Sequence, residues 1–450
     1  MSEALVAKYG DARLPRYTSY PTAPAFAATV GPDEYAQGLQ AISASDPVSI
    51  YLHVPFCRSM CWYCGCHTTI TRQDAPILEY LDVMSQEIEL VSFAARNNVP
   101  VKNVHFGGGT PTIMKPHEFA ALMMKLRSAF QFEHDASVAV EIDPRTLAPE
   151  MIAAMGENGV DRASLGVQSF DPVVQKAINR IQTFGQTQAA VAGLRSFGVT
   201  SINFDLIYGL PHQTVQSCVD TVRQAVELSP ERFAVFGYAH VPAFKKHQRL
   251  IDEAALPDAA QRNEQAEAVA EELVNCGYVR IGLDHFALPG DELAVASSAG
   301  TLHRNFQGYT TDDCATLIGL GASAIGRLPS GYYQNHVALG RYAERVASGV
   351  LPTAKGYMLT GEDKLRAKVI ERLMCDFEVD LPKLAEESGY ESGFLLDRND
   401  RLQALVSDGV ATIEEGRVVV SRSSRFMVRA VAAAFDAYFG SLGRSHSKAA

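Results

Sequence analysis

Four of the chain's eight cysteines, Cys57, Cys61, Cys64 and Cys66, fall within ten residues, while Cys218, Cys276, Cys314 and Cys375 are scattered singly. Clustered thiols in a chain without secretory features are metal ligands or redox centres rather than structural disulfides. Isolated ones read as small buried hydrophobes. The run Cys57-Arg-Ser-Met-Cys61-Trp-Tyr-Cys64 is a C-x3-C-x2-C arrangement. Zinc in a structural site takes four protein ligands, so Cys66 or His67 would have to complete it. Cys64-Gly-Cys66 is tight for two ligands on one metal, and no second knuckle follows. Three thiolates on a four-iron cluster instead leave one iron open to a substrate or cofactor, which is the logic of a catalytic centre.

The elements that would position such a centre repeat along the chain. Apolar, β-branched runs at 49–54, 103–106, 138–142, 162–167, 202–207, 233–238 and 279–283 read as strands. Helix-period segments lie between them at 75–95, 116–130, 149–158, 185–197, 214–228 and 259–276. Strand–helix alternation at this spacing means βα units and a parallel sheet, either a partial or near-closed barrel or an open doubly wound sheet. Cys57, Gly107–Thr110, Glu141, Gln168, Asp205 and Tyr238–His240 all lie just past or at strand ends. Polar residues at one end of consecutive strands are the pattern of a site at the mouth of a (β/α) barrel.

Flanking segments read differently. Pro15–Ala23 (PRYTSYPTA) has neither period, and is a linker or an arm folded over the mouth. After residue 350 come helical segments at 361–374, 381–387 and 397–407, a hairpin at 410–420 turning at Glu415-Gly416, and an amphipathic helix expected over 424–439. The expected organisation is an arm over 1–45, a barrel over 46–350 and a mostly helical, winged-helix-like domain over 351–450, its last residues frayed. A winged helix raises DNA binding, but residues 357–444 carry 12 basic and 15 acidic side chains, so the positive stripe it needs is missing. The whole chain is acidic, with 40 basic and 51 acidic residues and a formal charge of −11, which argues against nucleic acid as a partner. No apolar run reaches the ~18 residues of a membrane span, and residues 1–20 lack a signal peptide's apolar core. A cytoplasmic protein is expected. No sustained heptads demand a partner, so a monomer is expected too.

The motifs extend beyond the cysteines. The spacing, the loop after a strand and Gly107-Gly108-Gly109-Thr110 resemble the radical S-adenosylmethionine superfamily. Tyr51-Leu-His-Val-Pro-Phe-Cys57, Cys64-Gly-Cys66, Phe106–Thr112 (FGGGTPT), Glu141-Ile-Asp-Pro-Arg145, Leu165-Gly-Val-Gln168, Asp205–Pro211 (DLIYGLP), Tyr238-Ala-His240 and His303–Tyr309 (HRNFQGY) resemble the oxygen-independent coproporphyrinogen III oxidase family more closely. That resemblance covers nearly the whole chain from Pro15. It implies a 4Fe-4S cluster on Cys57, Cys61 and Cys64, with Cys66 nearby, and two S-adenosylmethionine molecules. The first would touch Tyr51, Gly108, Glu141 and Ile325; the second would touch Tyr63, Gly109, Thr110, Gln168, Arg180, Asp205 and Ala239. Tyr51, Glu141 and Gln307 would stand at the reacting centre.

The implied reaction turns the ring A and B propionates of coproporphyrinogen III into vinyl groups, fed by a low-potential electron donor such as a flavodoxin or ferredoxin. Arg16, Tyr17 and Tyr20 of the arm are candidate lid or propionate contacts, and Lys245, Lys246, Arg249 and Arg304 are candidate carboxylate contacts. Three readings compete. One is a haem-binding or haem-trafficking paralogue without decarboxylation, a group that lacks the PRYTSYPTA arm and the Cys-Gly-Cys extension. Another is a zinc-stabilised DNA-binding regulator. The third is a radical methyltransferase acting on another planar ring.

Overall fold

Six strands that follow one another in sequence also follow one another in space. They are β1 (Val48–Val54), β2 (Pro100–Gly108), β3 (Gln131–Ile142), β4 (Arg162–Gln168), β5 (Ser201–Tyr208) and β6 (Arg232–Gly237). Each pairs in parallel with the next. The main helices between them are Ala75–Ala94, Pro116–Ala129, Pro149–Glu157, Phe184–Ser196 and Val215–Glu227. Across these six the strand order never reverses, so none of their junctions is a switch point of the kind a doubly wound sheet requires. Crossovers of one hand along such an order place the helices on one side and curve the sheet towards a barrel. This computed structural model describes residues 14–96, 99–397 and 399–440, together with Leu5, Lys8 and Tyr9. Most of residues 1–13, and the expected frayed end, lie outside the described residues.

The sheet grows to twelve strands by additions at both ends. Beyond β6 lies a hairpin of β7 (Val279–Ile281) and β8 (His285–Ala287), with β8 antiparallel to β6. The parallel strand expected over 279–283 is therefore a short antiparallel one. Its chain turns back at Gly282, whose φ of +56° suits a tight turn, and no crossover follows. On the other side β9 (Thr316–Leu320) pairs in parallel with β1, followed by antiparallel β10 (Ile325–Leu328), β11 (Gly331–Asn335) and β12 (Thr353–Met358). The sheet thus runs on past residue 350. It does not close, since β7 and β12 remain at its two edges. The barrel is partial.

Parallel strands covered on both faces usually read as continuous apolar runs. Here they alternate. Ile50, Leu52 and Val54, Val104 and Phe106, Val138 and Val140, Leu165, and Phe204 and Leu206 are buried in one core with the helices' apolar stripes. The opposite face carries Tyr51 and His53, His105, Glu141, Ser164, and Asn203 and Asp205, none of which belongs to that core. Register keeps the polar face continuous across the sheet, with Tyr51 beside His105, Glu141 beside Ser164, and Ser164 beside Asn203.

The C-terminal part follows the order of a winged helix. Helix Gly361–Asp376, strand Glu378–Asp380, helices Leu381–Glu387 and Asp400–Ser407, and strands Ala411–Glu414 and Arg417–Val420 come in that sequence. The hairpin turns at Glu415 and Gly416, both at positive φ, as a two-residue connection needs. The helix expected over 424–439 is shorter, with a 3-10 turn at Arg422–Met427 and then Val428–Ala433. Its continuation is pre-empted because Asn399 donates to the Ala434 carbonyl at 3.0 Å and Arg366 to that of Phe435 at 2.9 Å. Leu14, Tyr17 and Tyr20 of the arm are buried in this part's core. Tyr17 donates to Asp436 at 3.0 Å, and the Ala437 N–H donates to the Tyr20 hydroxyl at 3.1 Å. These two tyrosines, expected at a lid or a propionate, instead anchor the arm. Cys218, Cys314 and Cys375 are buried as small hydrophobes, while Cys276 is half-buried.

Candidate active site

The cysteine loop leaves β1 and is stitched to the loop that leaves β2. Gly109 donates to the Val54 carbonyl at 2.9 Å and Thr110 to that of Phe56 at 2.8 Å. This approach needs bare backbone, for a Cβ on Gly109 would stand 2.6 Å from the Phe56 oxygen. Gly108 holds φ of +114° with the His53 ring 2.7 Å from where its Cβ would be. The GGGT run is therefore built for contact as well as for turning.

Polar groups converge on the sulfurs. Thr68 and Thr110 hydroxyls lie 3.3 and 3.4 Å from Cys57 Sγ. Arg145 and Arg180 guanidinium nitrogens lie 3.4 and 3.6 Å from Cys61 Sγ. The Cys66 N–H donates to Cys64 Sγ at 3.4 Å. A hydrogen bond from the Cys66 thiol holds the Cys64 thiol below its ordinary range against the opposing effect of burial, whereas that same bond and burial push Cys66 well up. Among the described residues, no three of these thiols and their histidine neighbours bring ligand atoms within 4.8 Å of one another. A single zinc ion, with Zn–S of ~2.3 Å, needs them closer. A larger cluster does not. The one triad at that spacing among the described residues, Asp312, Asp313 and Cys314, has a structural use: Asp312 accepts from Ser49 at 2.6 Å and Asn103 at 3.1 Å.

Glu141 is the centre of a second group. His105 Nε2 lies 3.2 Å from Glu141 Oε1, and the Gly108 N–H donates to Oε2 at 3.1 Å. Tyr51 stacks on His105 at 5.8 Å and its hydroxyl lies 3.0 Å from His53 Nδ1. Burial opposes ionisation of Glu141, but the His105 hydrogen bond and charge and the Gly108 N–H outweigh it and hold the carboxyl below its ordinary range. Ile325 reaches the same neighbourhood through β9: Gly319 pairs with Tyr51, and a Cβ there would stand 2.8 Å from the Ile325 backbone.

A third group stands at the ends of β4 and β5. A register shift between Gly166 and Gln168 leaves Gln168 at φ of +68°, a bulge that re-aims its side chain. Arg180 donates to the Gly166 carbonyl at 2.5 Å and pairs with Asp143 at 3.4 Å, while its Nε is buried without a partner. Asp143 also pairs with Arg145 at 2.6 Å. Burial and the Glu141 charge push Asp205 up to about 7, although it accepts from Asn203 at 2.9 Å and Ser164 at 3.2 Å. Tyr63 is half-buried, and its carbonyl accepts from Gln248 at 2.9 Å.

The structure thus sets three bonded groups at neighbouring strand ends: Cys57 with Thr110, Cys61 with Arg145 and Arg180, and Glu141 with Gly108 and His105. Ala239 lines an adjoining cavity and its carbonyl accepts from Gln248 at 3.2 Å. Gln307 sits in the turn of the His303–Asn305 and Gly308–Thr310 hairpin, its N–H bonded to Asn305 at 2.9 Å, with no hydrogen bond to the Glu141 group. Of the lysines offered as carboxylate contacts, Lys245 donates to the Cys66 carbonyl at 2.9 Å and Lys246 is exposed, as is Arg249. His53, Asp143 and Arg145 lie inside the quoted motifs with no role assigned to them, and His105 and Gln248 lie outside those motifs. His105 and Asp143 sit two residues from Gly107 and Glu141, so strand alternation alone puts them on the site's face.

A family model described as the Radical SAM superfamily matches residues 51–225. Oxygen-independent coproporphyrinogen III oxidase of Bradyrhizobium diazoefficiens is 56% identical over 449 residues, covering 100% of both chains. Its counterpart in Cereibacter sphaeroides ATCC 17025 is 43% identical over 428 residues, 95% of each chain. The chain belongs to this family. A solved coproporphyrinogen III oxidase of Escherichia coli, described as a radical SAM enzyme, superposes with a TM-score of 0.91 at 37% identity, over 97% of this chain and 99% of that one. Membership makes the chain an oxidoreductase of the radical SAM type and implies an iron–sulfur cluster and S-adenosylmethionine. The donor set fits both groups. Three thiols wider apart than one ion tolerates receive hydrogen bonds as cluster thiolates do. A bare glycine run beside an ionised carboxylate suits an ammonium-bearing cofactor.

Proposed function

We propose that the chain catalyses anaerobic oxidative decarboxylation of the ring A and ring B propionates of coproporphyrinogen III to vinyl groups, giving protoporphyrinogen IX. The observation that carries this reading is the 56% identity to a coproporphyrinogen III oxidase across the entire chain, arm included. When bound, the cluster and S-adenosylmethionine supply a 5′-deoxyadenosyl radical able to take a hydrogen atom from a propionate β-carbon. Loss of CO2 from that substrate and one electron passed to an acceptor then complete each vinyl group.

The chain's own residues hold and orient. Cys57, Cys61 and Cys64 are the cluster ligands in this reading. Tyr51, Gly108, Glu141 and Ile325 hold one S-adenosylmethionine, Glu141 accepting from its ammonium group. Tyr63, Gly109, Thr110, Gln168, Arg180, Asp205 and Ala239 hold a second. The unpartnered Nε of Arg180 and the bulge at Gln168 support a ligand in that second place. Asp205, titrating near neutrality, can donate or accept to a ribose hydroxyl. Gln307 belongs to the reacting centre once substrate is present. The three parts of the chain are an arm over 1–45, a barrel over 46–350 and the C-terminal domain. The enzyme works in the cytoplasm as a monomer with a low-potential flavodoxin or ferredoxin as donor. No helix among the described residues is long and apolar enough to cross a membrane.

The test is anaerobic reconstitution with iron and sulfide, then addition of S-adenosylmethionine, a low-potential reductant and coproporphyrinogen III. A divinyl product with two CO2 per turnover, lost in Cys61→Ala, is expected. An intact cluster that cleaves S-adenosylmethionine but leaves coproporphyrinogen III untouched would overturn the substrate, and stoichiometric haem binding without decarboxylation would favour a haem-trafficking paralogue.

A further inference from the structure

A cavity of about 570 Å³ opens at the ends of β5 and β6, bounded by helix Ala259–Asn275, the arm and the C-terminal part. Its lining runs against the charge of the chain. Five arginines, Arg16, Arg262, Arg280, Arg304 and Arg429, face three carboxylates in a protein whose formal charge is −11. One of those carboxylates, Asp284, is already engaged by His285 Nδ1 at 2.7 Å. Arg304 stacks on Tyr309 at 4.4 Å, and its Nη2 reaches the Arg16 carbonyl at 3.4 Å. Its Nε and Nη1 are buried with no hydrogen-bond partner, as is the Nε of Arg280. Burying a guanidinium fork without acceptors is costly unless a ligand provides them. Arg262 gives one hydrogen bond to the Tyr238 carbonyl at 2.9 Å and lies over Tyr208 at 5.8 Å. Between the arginines the walls are apolar, with Phe236, Leu256, Phe286 and Phe426.

The cavity is also wired to the cysteine loop. Its wall from Tyr238 to Phe244 leads directly into Lys245, His247 and Gln248. These three donate to the carbonyls of Cys66, Cys64 and Tyr63 at 2.9, 2.7 and 2.9 Å. Gln248 is 1% exposed and also accepts from the Val241 N–H at 2.6 Å. A ligand here therefore touches the segment that fixes the cluster loop.

We propose that this cavity is the receptor for the peripheral carboxylates of a tetrapyrrole, with Arg304 as the anchor, Arg262 beside it, and Arg16 completing the ring when the arm is docked on the C-terminal part. The assignment rests on the reaction proposed above. An apolar macrocycle edged with carboxylates matches apolar walls edged with forks, and Arg–carboxylate pairing is bidentate and directional. The methionyl carboxylate of S-adenosylmethionine is the other carboxylate available, and the test separates the two.

Fluorescence titration of the reconstituted full chain with coproporphyrin III, the unreactive oxidised macrocycle, measures the site directly. Its tetramethyl ester and S-adenosylmethionine are titrated alongside. Loss of one charged hydrogen-bonding partner raises a Kd by roughly tenfold or more. That is the effect expected for coproporphyrin III in Arg304→Gln, with smaller rises in Arg262→Gln and Arg16→Gln and partial recovery in Arg304→Lys. The Kd for S-adenosylmethionine should stay unchanged, and the ester should bind weakly to every form. Arg16 is exposed, so Arg16→Gln reads the site even where Arg304→Gln disturbs folding. Equal coproporphyrin III affinity in all the glutamine variants, equal binding of the ester, or a loss confined to S-adenosylmethionine would overturn the assignment. If the wild type binds coproporphyrin III through these arginines but does not decarboxylate coproporphyrinogen III, the reaction reading fails and the receptor stands. If it forms product and the variants keep its KM, the receptor fails and the reaction stands.

Discussion

Glu87 and Glu141 are both carboxylates set against the sheet, and they differ in what is left over. Glu87, 1% exposed on helix Ala75–Ala94, accepts from Tyr342 at 2.6 Å, Gly321 at 2.7 Å and Asn335 at 2.6 Å. Those bonds tie the helix to the turn after β9 and to β11 on the apolar side of the sheet. Glu141 accepts one bond per oxygen on the polar side, and 37% of its side chain faces solvent. The electrostatics separate in the same way. Burial pushes Glu87 up to about 7, whereas His105 and Gly108 hold Glu141 below its ordinary range. A saturated acid of this kind is a clasp; one kept ionised with lone pairs facing a cleft is a binding group.

Three substitutions sharpen the contrast. The largest effect is expected at the ligands of the polar side, where Cys61→Ala should abolish both product and cluster. Iron and sulfide content and the electron paramagnetic resonance signal of the reduced protein check this. Glu141→Gln should leave the melting temperature near that of wild type but reduce kcat/KM for S-adenosylmethionine cleavage by roughly 10- to 100-fold, the value of one charged hydrogen bond. Wild-type cleavage by Glu141→Gln would break the comparison. Glu87→Gln should do the reverse, keeping turnover per folded molecule while changing how stability depends on pH. Glu87 is raised from 4.5 to about 7, so the folded state holds its proton more tightly than the unfolded one. Its stabilisation is full below pH 4.5 and is lost as pH rises through 7. At about 1.36 kcal/mol per pH unit this is roughly 3 kcal/mol between those limits. Denaturant titrations at pH 5 and pH 8 should show that difference shrinking in Glu87→Gln.

The two sides were not equally legible in the sequence. The cysteine spacing, the glycine run and Glu141 are local signals and led directly to the polar assembly. So was the alternation in Ser-Ile-Tyr-Leu-His-Val and Asn-Val-His-Phe, which set His53 and His105 facing the site without being read so. Glu87 carries no local signal. Its partners lie more than 230 positions away on strands whose pairing depends on β9, and the run Thr316–Leu320 is too short and apolar to tell strand from helix. A similar limit shortened the last helix, whose end is set by Asn399 and Arg366, 35 and 69 positions away.

The arm tests the smallest of these effects. Its motif reads as a linker or as an arm over the mouth, and Tyr17 donates its hydroxyl to Asp436 and buries its ring in the C-terminal core. Arg16, its neighbour in the chain, lines the cavity. Anchoring and ligand contact are therefore divided between neighbours. Tyr17→Phe removes one neutral-to-charged hydrogen bond while keeping the ring's packing, so the cost is about 1.5 kcal/mol, the low end for a bond to a charged group. A correspondingly small drop in unfolding free energy by denaturant titration is expected, with S-adenosylmethionine cleavage unchanged. A large loss of cleavage in Tyr17→Phe, without loss of stability, would mean that the hydroxyl serves the site and that the arm is a lid after all.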